Sequence, residues 1–174
     1  TLVVDKTGTL TEGEPKLISI EPAQGMDAKK LLRLAASLER GSEHPLAAAI
    51  VKGAQERALT LSPVEGFESL TGRGVRGLME GSPVALGNEK LLEELHVDAG
   101  PHAAKAESLR AEGQTVMYVV IEKKIGGLLG VADPIKATTA EAVKMLHEDG
   151  VRVVMITGDT TDAAAVVADK LGIT

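Results

Sequence analysis

The chain has 174 residues, room for one large domain or two small ones; 44% are hydrophobic, yet it holds one Phe, one Tyr and no Trp. Its core must therefore be built from Leu, Val, Ile, Ala and Met. A net charge of -6 and a pI near 5.3 argue against nucleic acid as a partner, and zero cysteines exclude disulfides or a thiolate metal site in this stretch. No apolar run approaches the roughly 20 residues of a membrane-spanning helix, so the stretch itself is expected to be soluble. It lacks an initiator Met and a visible signal peptide, and it reads as a piece of something longer.

Residues 1–4, Thr-Leu-Val-Val, read as a buried strand with Asp5 at its carboxyl end. An acid there points into the crevice where open α/β sheets bind ligands. Glycine and hydroxyl residues follow it, in Lys6-Thr7-Gly8-Thr9-Leu10-Thr11, and can bring backbone N–H groups around a phosphate. A carboxylate so placed can attack a phosphoryl group and carry it as an acyl phosphate. Alone, an acid at a strand end is an ordinary surface charge; the weight lies in the seven residues together.

Glu12-Gly13-Glu14-Pro15 is a turn cluster, and 16–20 a strand. Asp27 can cap a helix running to about Glu39, with Leu31, Leu34, Ala35 and Leu38 on one face. Pro45 suits the first turn of a second helix, to about Ala58. Three short strands, 64–70, 74–80 and 84–87, are separated by turn residues and predict antiparallel pairing. Helices are expected over 89–95 and 102–111, then a hairpin over 116–122 and 124–131. Asp133-Pro134 ends that pattern. A helix over 139–148, a nearly all-apolar run over 151–156 expected to be a buried parallel strand, and a helix over 160–171 restore an α/β style. Two parallel-sheet pieces thus flank an antiparallel α+β module, the layout of one domain inserted into another. The strand ends at Asp5 and Thr157 are expected to share one crevice.

The heptapeptide Asp5 to Thr11 matches the phosphorylation signature of the P-type ATPases. Ser42-Glu43-His44-Pro45-Leu46, followed by Gly72-Arg73-Gly74 and Gly87-Asn88, is similar to the heavy-metal branch of that family. The resemblance covers essentially the whole chain and leans towards copper and silver exporters, with zinc, cadmium and lead exporters as the runner-up. It implies a haloacid-dehalogenase-like, Rossmann-type α/β phosphorylation domain, residues 1–14 and 132–174, incomplete at the C-terminus. An inserted α+β nucleotide-binding domain on an antiparallel sheet, residues 15–131, completes the expectation.

By that resemblance Asp5 is phosphorylated, with Lys6 and Thr7 beside it, and Thr157-Gly158-Asp159 contacts the transferred phosphoryl group. His44 contacts adenine, assisted by Glu39, with Glu43, Gly72, Gly74, Val75, Gly87 and Asn88 completing the nucleotide site. Asp133 and Pro134 form a hinge. ATP and Mg²⁺ are the implied cofactors, and Asp5 with the Thr7 carbonyl would form part of the Mg²⁺ site. The implied partners are the actuator domain and membrane helices of the same pump, with the chain on the cytoplasmic face of a bacterial cell membrane.

Residue chemistry supports parts of this picture. Soluble phosphatases with the same nucleophile carry a second Asp two residues on as general acid and base. Thr7 stands there instead, and a hydroxyl cannot perform that proton transfer, which favours a longer-lived acyl phosphate. His44 at a helix N-terminus faces a dipole that disfavours imidazolium, and a neutral ring can stack on a purine. Glycines on neighbouring strands can let a nucleotide approach the backbone. Asp159 also suits capping the helix after it. The competing readings are a soluble phosphatase with a large cap domain and a non-catalytic nucleotide sensor.

Overall fold

The computed structural model describes residues 1–158 and 161–173, with backbone only for 161–163; Asp159 lies outside the described residues. Two sheets organise the chain. The smaller pairs β1 (Leu2–Asp5) in parallel with β8 (Val153–Ile156), in a register that sets Asp5 opposite Ile156. The larger has six antiparallel strands in the order β2-β7-β6-β5-β4-β3. These are β2 (Lys16–Pro22), β3 (Glu65–Leu70), β4 (Gly74–Met79), β5 (Ser82–Gly87), β6 (Thr115–Ile121) and β7 (Lys124–Ala132).

Helices cover both faces of the large sheet. On one lie α1 (Ala28–Glu39) and α2 (Pro45–Glu56). Asp27 caps α1 by accepting the Lys30 N–H at 2.8 Å, and Leu31, Leu34, Ala35 and Leu38 are buried as their spacing requires. On the other lie α3 (Glu89–Leu95) and α4 (His102–Ala111). Strand β6 serves both layers by alternation: Met117 and Val119 join the first core, Val116, Tyr118 and Val120 the second. Because the strand is covered on both sides, its sequence shows no polar alternation.

A third, smaller core joins Leu10, Val143 and Leu171 with Val4 and Met155, where α5 (Thr139–Glu148) and α6 (Thr161–Leu171) pack on one face of the small sheet. The other face is open. Val3 is 54% exposed and Ile156 59% exposed, so the expectation of two buried strands is corrected here. Their apolar sequence matches a sheet covered twice, whereas the described helices cover it once. The second strand also begins at Val153, not 151; Val151 still donates its N–H to the Leu146 carbonyl at the end of α5.

Two crossings join the small-sheet lobe to the large one. Segments 10–13 and 133–136 run antiparallel, with the Glu12 N–H on the Pro134 carbonyl (2.9 Å) and the Lys136 N–H on the Leu10 carbonyl (3.0 Å). The Asp133 carboxylate clasps them, accepting from the Thr11 hydroxyl at 2.6 Å and the Gly13 N–H at 2.8 Å. Among the described residues no helix is long and apolar enough to cross a membrane.

Candidate functional site

The first constellation sits at the carboxyl ends of β1 and β8. Asp5 is exposed there, and the chain beyond it makes one wide turn, Lys6–Leu10, closed by the Thr11 N–H on the Lys6 carbonyl at 3.1 Å. Gly8 adopts φ +77, a left-handed conformation that most side chains resist. Its N–H reaches the Thr11 hydroxyl oxygen at 3.3 Å, and its carbonyl accepts from the Lys136 ammonium at 2.6 Å. Lys6 is buried and engaged within the fold. Because Asp5 pairs with Ile156, Thr157 emerges beside it at the same end of the sheet. The residues that directly follow the two strands, Lys6 and Thr157, therefore lie at the same end of the sheet.

Metal donors in this constellation are oxygen atoms. No cluster of three His, Cys, Asp or Glu that could hold a metal occurs among the described residues. The Asp5 carboxylate and the Thr7 carbonyl suit Mg²⁺, which binds through one or two carboxylates and retains waters. They fit part of such a shell.

The second constellation surrounds a cavity of about 430 Å³ in the large-sheet lobe, inside the roughly 300–1,000 Å³ range of small-molecule sites. Four stretches line it: Glu39, Ser42, His44 and Leu46 from the α1–α2 junction; 69–75 from the β3–β4 turn; Leu86 to Asn88; and Thr115 to Met117 of β6. Glu43, singled out in the sequence, is exposed and does not line it. A smaller cavity of about 290 Å³ opens on the opposite face of the sheet. None of the residues expected to bind nucleotide lines it, and its lining of Leu78, Pro83, Val84, Ala85, Leu95 and Val120 is largely apolar.

Each polar group in the larger cavity has a distinct local setting. His44 is the N-cap of α2, directly before Pro45, and its Nδ1 accepts the Leu46 N–H at 3.2 Å. That bond assigns the proton of the neutral ring to Nε2, leaving a donor beyond the helix end. Glu39, the last residue of α1, is 7% exposed, and its Oε2 is buried without a hydrogen-bond partner. Burial pushes its pKa up, while a hydrogen bond from Ser42 pulls the other way. A buried, unsatisfied carboxylate oxygen on a residue that lines a cavity is unfavourable until something donates to it.

The folded chain therefore holds a proton on Glu39 at pH values where the unfolded chain has lost it, so stability falls as pH rises from the ordinary carboxylate range through the raised value. Glu39→Gln is expected to stabilise the unliganded chain by about 1 kcal/mol at pH 7. The difference should close below about pH 3.5, where the unfolded carboxyl is protonated as well. Thermal melts of both chains across that pH range would check this, and a constant offset would show that the charge is not its source.

The glycines of the cavity wall differ in what surrounds them. Gly74 and Gly87 are paired across β4 and β5. A Cβ on Gly74 would lie 2.1 Å from the Leu86 carbonyl oxygen, and one on Gly87 2.1 Å from the Arg73 carbonyl oxygen. Both are required by strand-to-strand approach. Gly72 has open space at its Cβ position and faces the cavity. Asn88 caps α3, accepting from the Lys90 N–H at 3.1 Å, while its amide donates to the Gly72 carbonyl at 2.9 Å. It fixes the turn that forms the cavity wall. Val75 is buried in that wall.

Sequence reasoning missed Arg73 and the β6 segment Thr115 to Met117. Arg73 was visible between two glycines already singled out. The β6 residues gave no signal, being an apolar run distant in sequence.

Comparison with known proteins matches this arrangement: the chain belongs to the haloacid dehalogenase-like hydrolases, whose family pattern covers residues 1–174. Within that class the proteins it resembles include ion pumps. It is 53% identical over 173 residues to a copper-transporting P-type ATPase of Rhizobium leguminosarum bv. viciae, covering 99% of this chain and 21% of that protein. It is 45% identical over 173 residues to a silver-exporting P-type ATPase of Salmonella typhimurium, with the same 99% and 21% coverage. A solved zinc-transporting PIB-type ATPase in its E2.Pi state superposes with a TM-score of 0.88 at 37% identity, over 98% of this chain and 28% of that one. The chain spans about a fifth of the length of the curated relatives it matches.

Proposed function

We propose that this chain is the ATP-binding and phosphorylation segment of a heavy-metal-exporting P-type ATPase, and that the γ-phosphate of ATP is transferred to Asp5. Residues 15–131 form the nucleotide-binding domain, and residues 1–14 and 132–174 belong to the phosphorylation domain. The observation that carries the reading is the buried, unpartnered carboxylate oxygen of Glu39, a residue that lines the same cavity as His44. An exocyclic purine amine donates to such an oxygen, and a neutral imidazole at the rim can stack on the base. Guanine presents a carbonyl in that place, so the pairing selects adenine.

At the other constellation, in-line attack by the Asp5 carboxylate on the γ-phosphorus would form the acyl phosphate and release ADP. Lys6, Thr157, Gly158 and Asp159 are proposed to position the phosphoryl group. Mg²⁺, held in part by Asp5 and the Thr7 carbonyl, supplies charge neutralisation when bound. The clasp of Asp133 on Thr11 and Gly13, with Pro134 beside it, is proposed as the hinge on which the lobes move. The chain would act at the cytoplasmic face of a membrane, with an actuator domain and membrane helices elsewhere in the protein.

Copper or silver is the proposed cargo, because the two curated relatives carry those metals in their names at 53% and 45% identity. Zinc is the second reading, favoured by the 0.88 superposition on a zinc-transporting pump.

The test is nucleotide titration of the chain followed by backbone-amide NMR, comparing His44→Asn with the wild type. Asn retains an acceptor for the α2 cap but removes the ring. ATP affinity is expected to fall about tenfold, the loss of one stacking contact with its hydrogen bond. Shifts should cluster at Glu39, Gly72, Gly74 and Asn88 and favour ATP over GTP. Unchanged ATP affinity in His44→Asn would remove His44 from the site.

A further inference from the structure

ATP carries a polyanionic tail, yet the cavity lining is poor in positive charge. Among its described lining residues, Arg73 alone carries a fixed positive charge. We propose that Arg73 reads the phosphate tail of the bound nucleotide, and that Glu94 holds its guanidinium until a polyphosphate displaces it. The inference rests on the cavity being a nucleotide site, and it adds the residue that distinguishes a triphosphate from a bare nucleoside.

The Arg73 backbone is pinned. Its N–H donates to the Leu70 carbonyl at 2.9 Å, and its carbonyl accepts the Asn88 N–H at 2.9 Å. Gly72 before it is tied to the Asn88 amide, and Gly74 after it is locked against Gly87. Only the side chain is left to move, and it is 50% exposed. Its guanidinium donates to Glu94 of α3 at 2.5 Å.

Releasing that pair strands neither charge. The other Glu94 oxygen already lies 3.9 Å from the Arg76 guanidinium, which is also anchored to Glu68 at 2.7 Å. Glu94 can therefore fall back on Arg76 when Arg73 turns away. Exposed ion pairs of this kind are weak, whereas a guanidinium fork against phosphate oxygens makes paired charge-assisted hydrogen bonds. The exchange favours the phosphate, and the acidic partner suppresses capture of weaker anions.

The experiment measures affinities of the full chain for adenosine, AMP, ADP and ATP in EDTA, so that no divalent ion contributes. Wild-type affinity is expected to rise along that series. Arg73→Gln should lower ATP affinity about fivefold to tenfold and leave adenosine within about twofold, so the series flattens. Arg73→Lys should restore part of the rise. Glu94→Gln should raise ATP affinity about twofold to threefold, and the salt dependence of ATP binding should weaken in Arg73→Gln.

Equal loss of adenosine and ATP affinity in Arg73→Gln would make Arg73 a shaper of the cavity and overturn the proposal. So would no loss of either. Wild-type binding of adenosine as tightly as ATP would overturn it while leaving the adenine site intact. Failure of every nucleoside and nucleotide to bind would overturn the cavity assignment and this proposal together.

Discussion

Asp5→Asn in a protein carrying this chain is expected to abolish acid-stable phosphorylation by ATP, a loss of at least about a thousandfold, because an amide cannot attack phosphorus as a carboxylate does. The substitution should be silent otherwise. Asp5 is exposed at the end of β1, so an isosteric change there removes no packing. The proposed nucleotide cavity belongs to the other lobe, and ATP affinity should remain within about twofold. Acid-quenched labelling from γ-labelled ATP, followed by hydroxylamine release, separates an acyl phosphate from a phosphoester. Label that survives in Asp5→Asn would reject Asp5 as the nucleophile.

The largest stability effect is expected at Gly74. Its φ of +150 and a Cβ position 2.1 Å from the Leu86 carbonyl oxygen and 2.6 Å from the Gly87 Cα leave no room for a side chain. Gly74→Ala must separate β4 from β5 or unseat Leu86, which is fully buried in the first core. A loss of about 3 kcal/mol or more is expected, combining backbone strain with overpacking. Gly72→Ala provides the contrast. Its φ is +70, but nothing lies within 4 Å of the added methyl, so only strain of about 1–2 kcal/mol applies. Thermal melts of both chains would show the difference. A Gly74→Ala chain as stable as wild type would mean that the strands can part, and would return this glycine to a role in ligand approach.

This contrast shows where reading the chain alone reached its limit. The pair Gly72 and Gly74 carries one motif, yet one glycine meets open space and the other meets a neighbouring strand's backbone. Nothing in the local residue order separates the two cases, because strand register is set by partners up to dozens of residues away. The small sheet gives the same lesson. Thr1-Leu2-Val3-Val4 is apolar enough for a doubly covered strand, but its burial depends on what lies over it. Arg73 and Glu94 also escaped notice, since an ion pair between a turn and a helix 21 residues later has no period to reveal it.

What the sequence determined by itself was local and chemical. Asp27 at the start of α1, His44 and Pro45 at the start of α2, and the β-branched run into Thr157 each act within a turn or a strand, where residue type and spacing dictate geometry directly. The proposed nucleophile, Asp5, stands out in the sequence because a carboxylate at a strand end followed by that loop suits the chemistry. Tertiary structure alone decided how Glu39, Arg73, Gly87 and Met117 come to face one cavity, and how Asp133 reaches across 122 residues to hold Thr11. Those contacts arise from packing and register over long chain separations, where the partner, not the residue itself, decides what a side chain does.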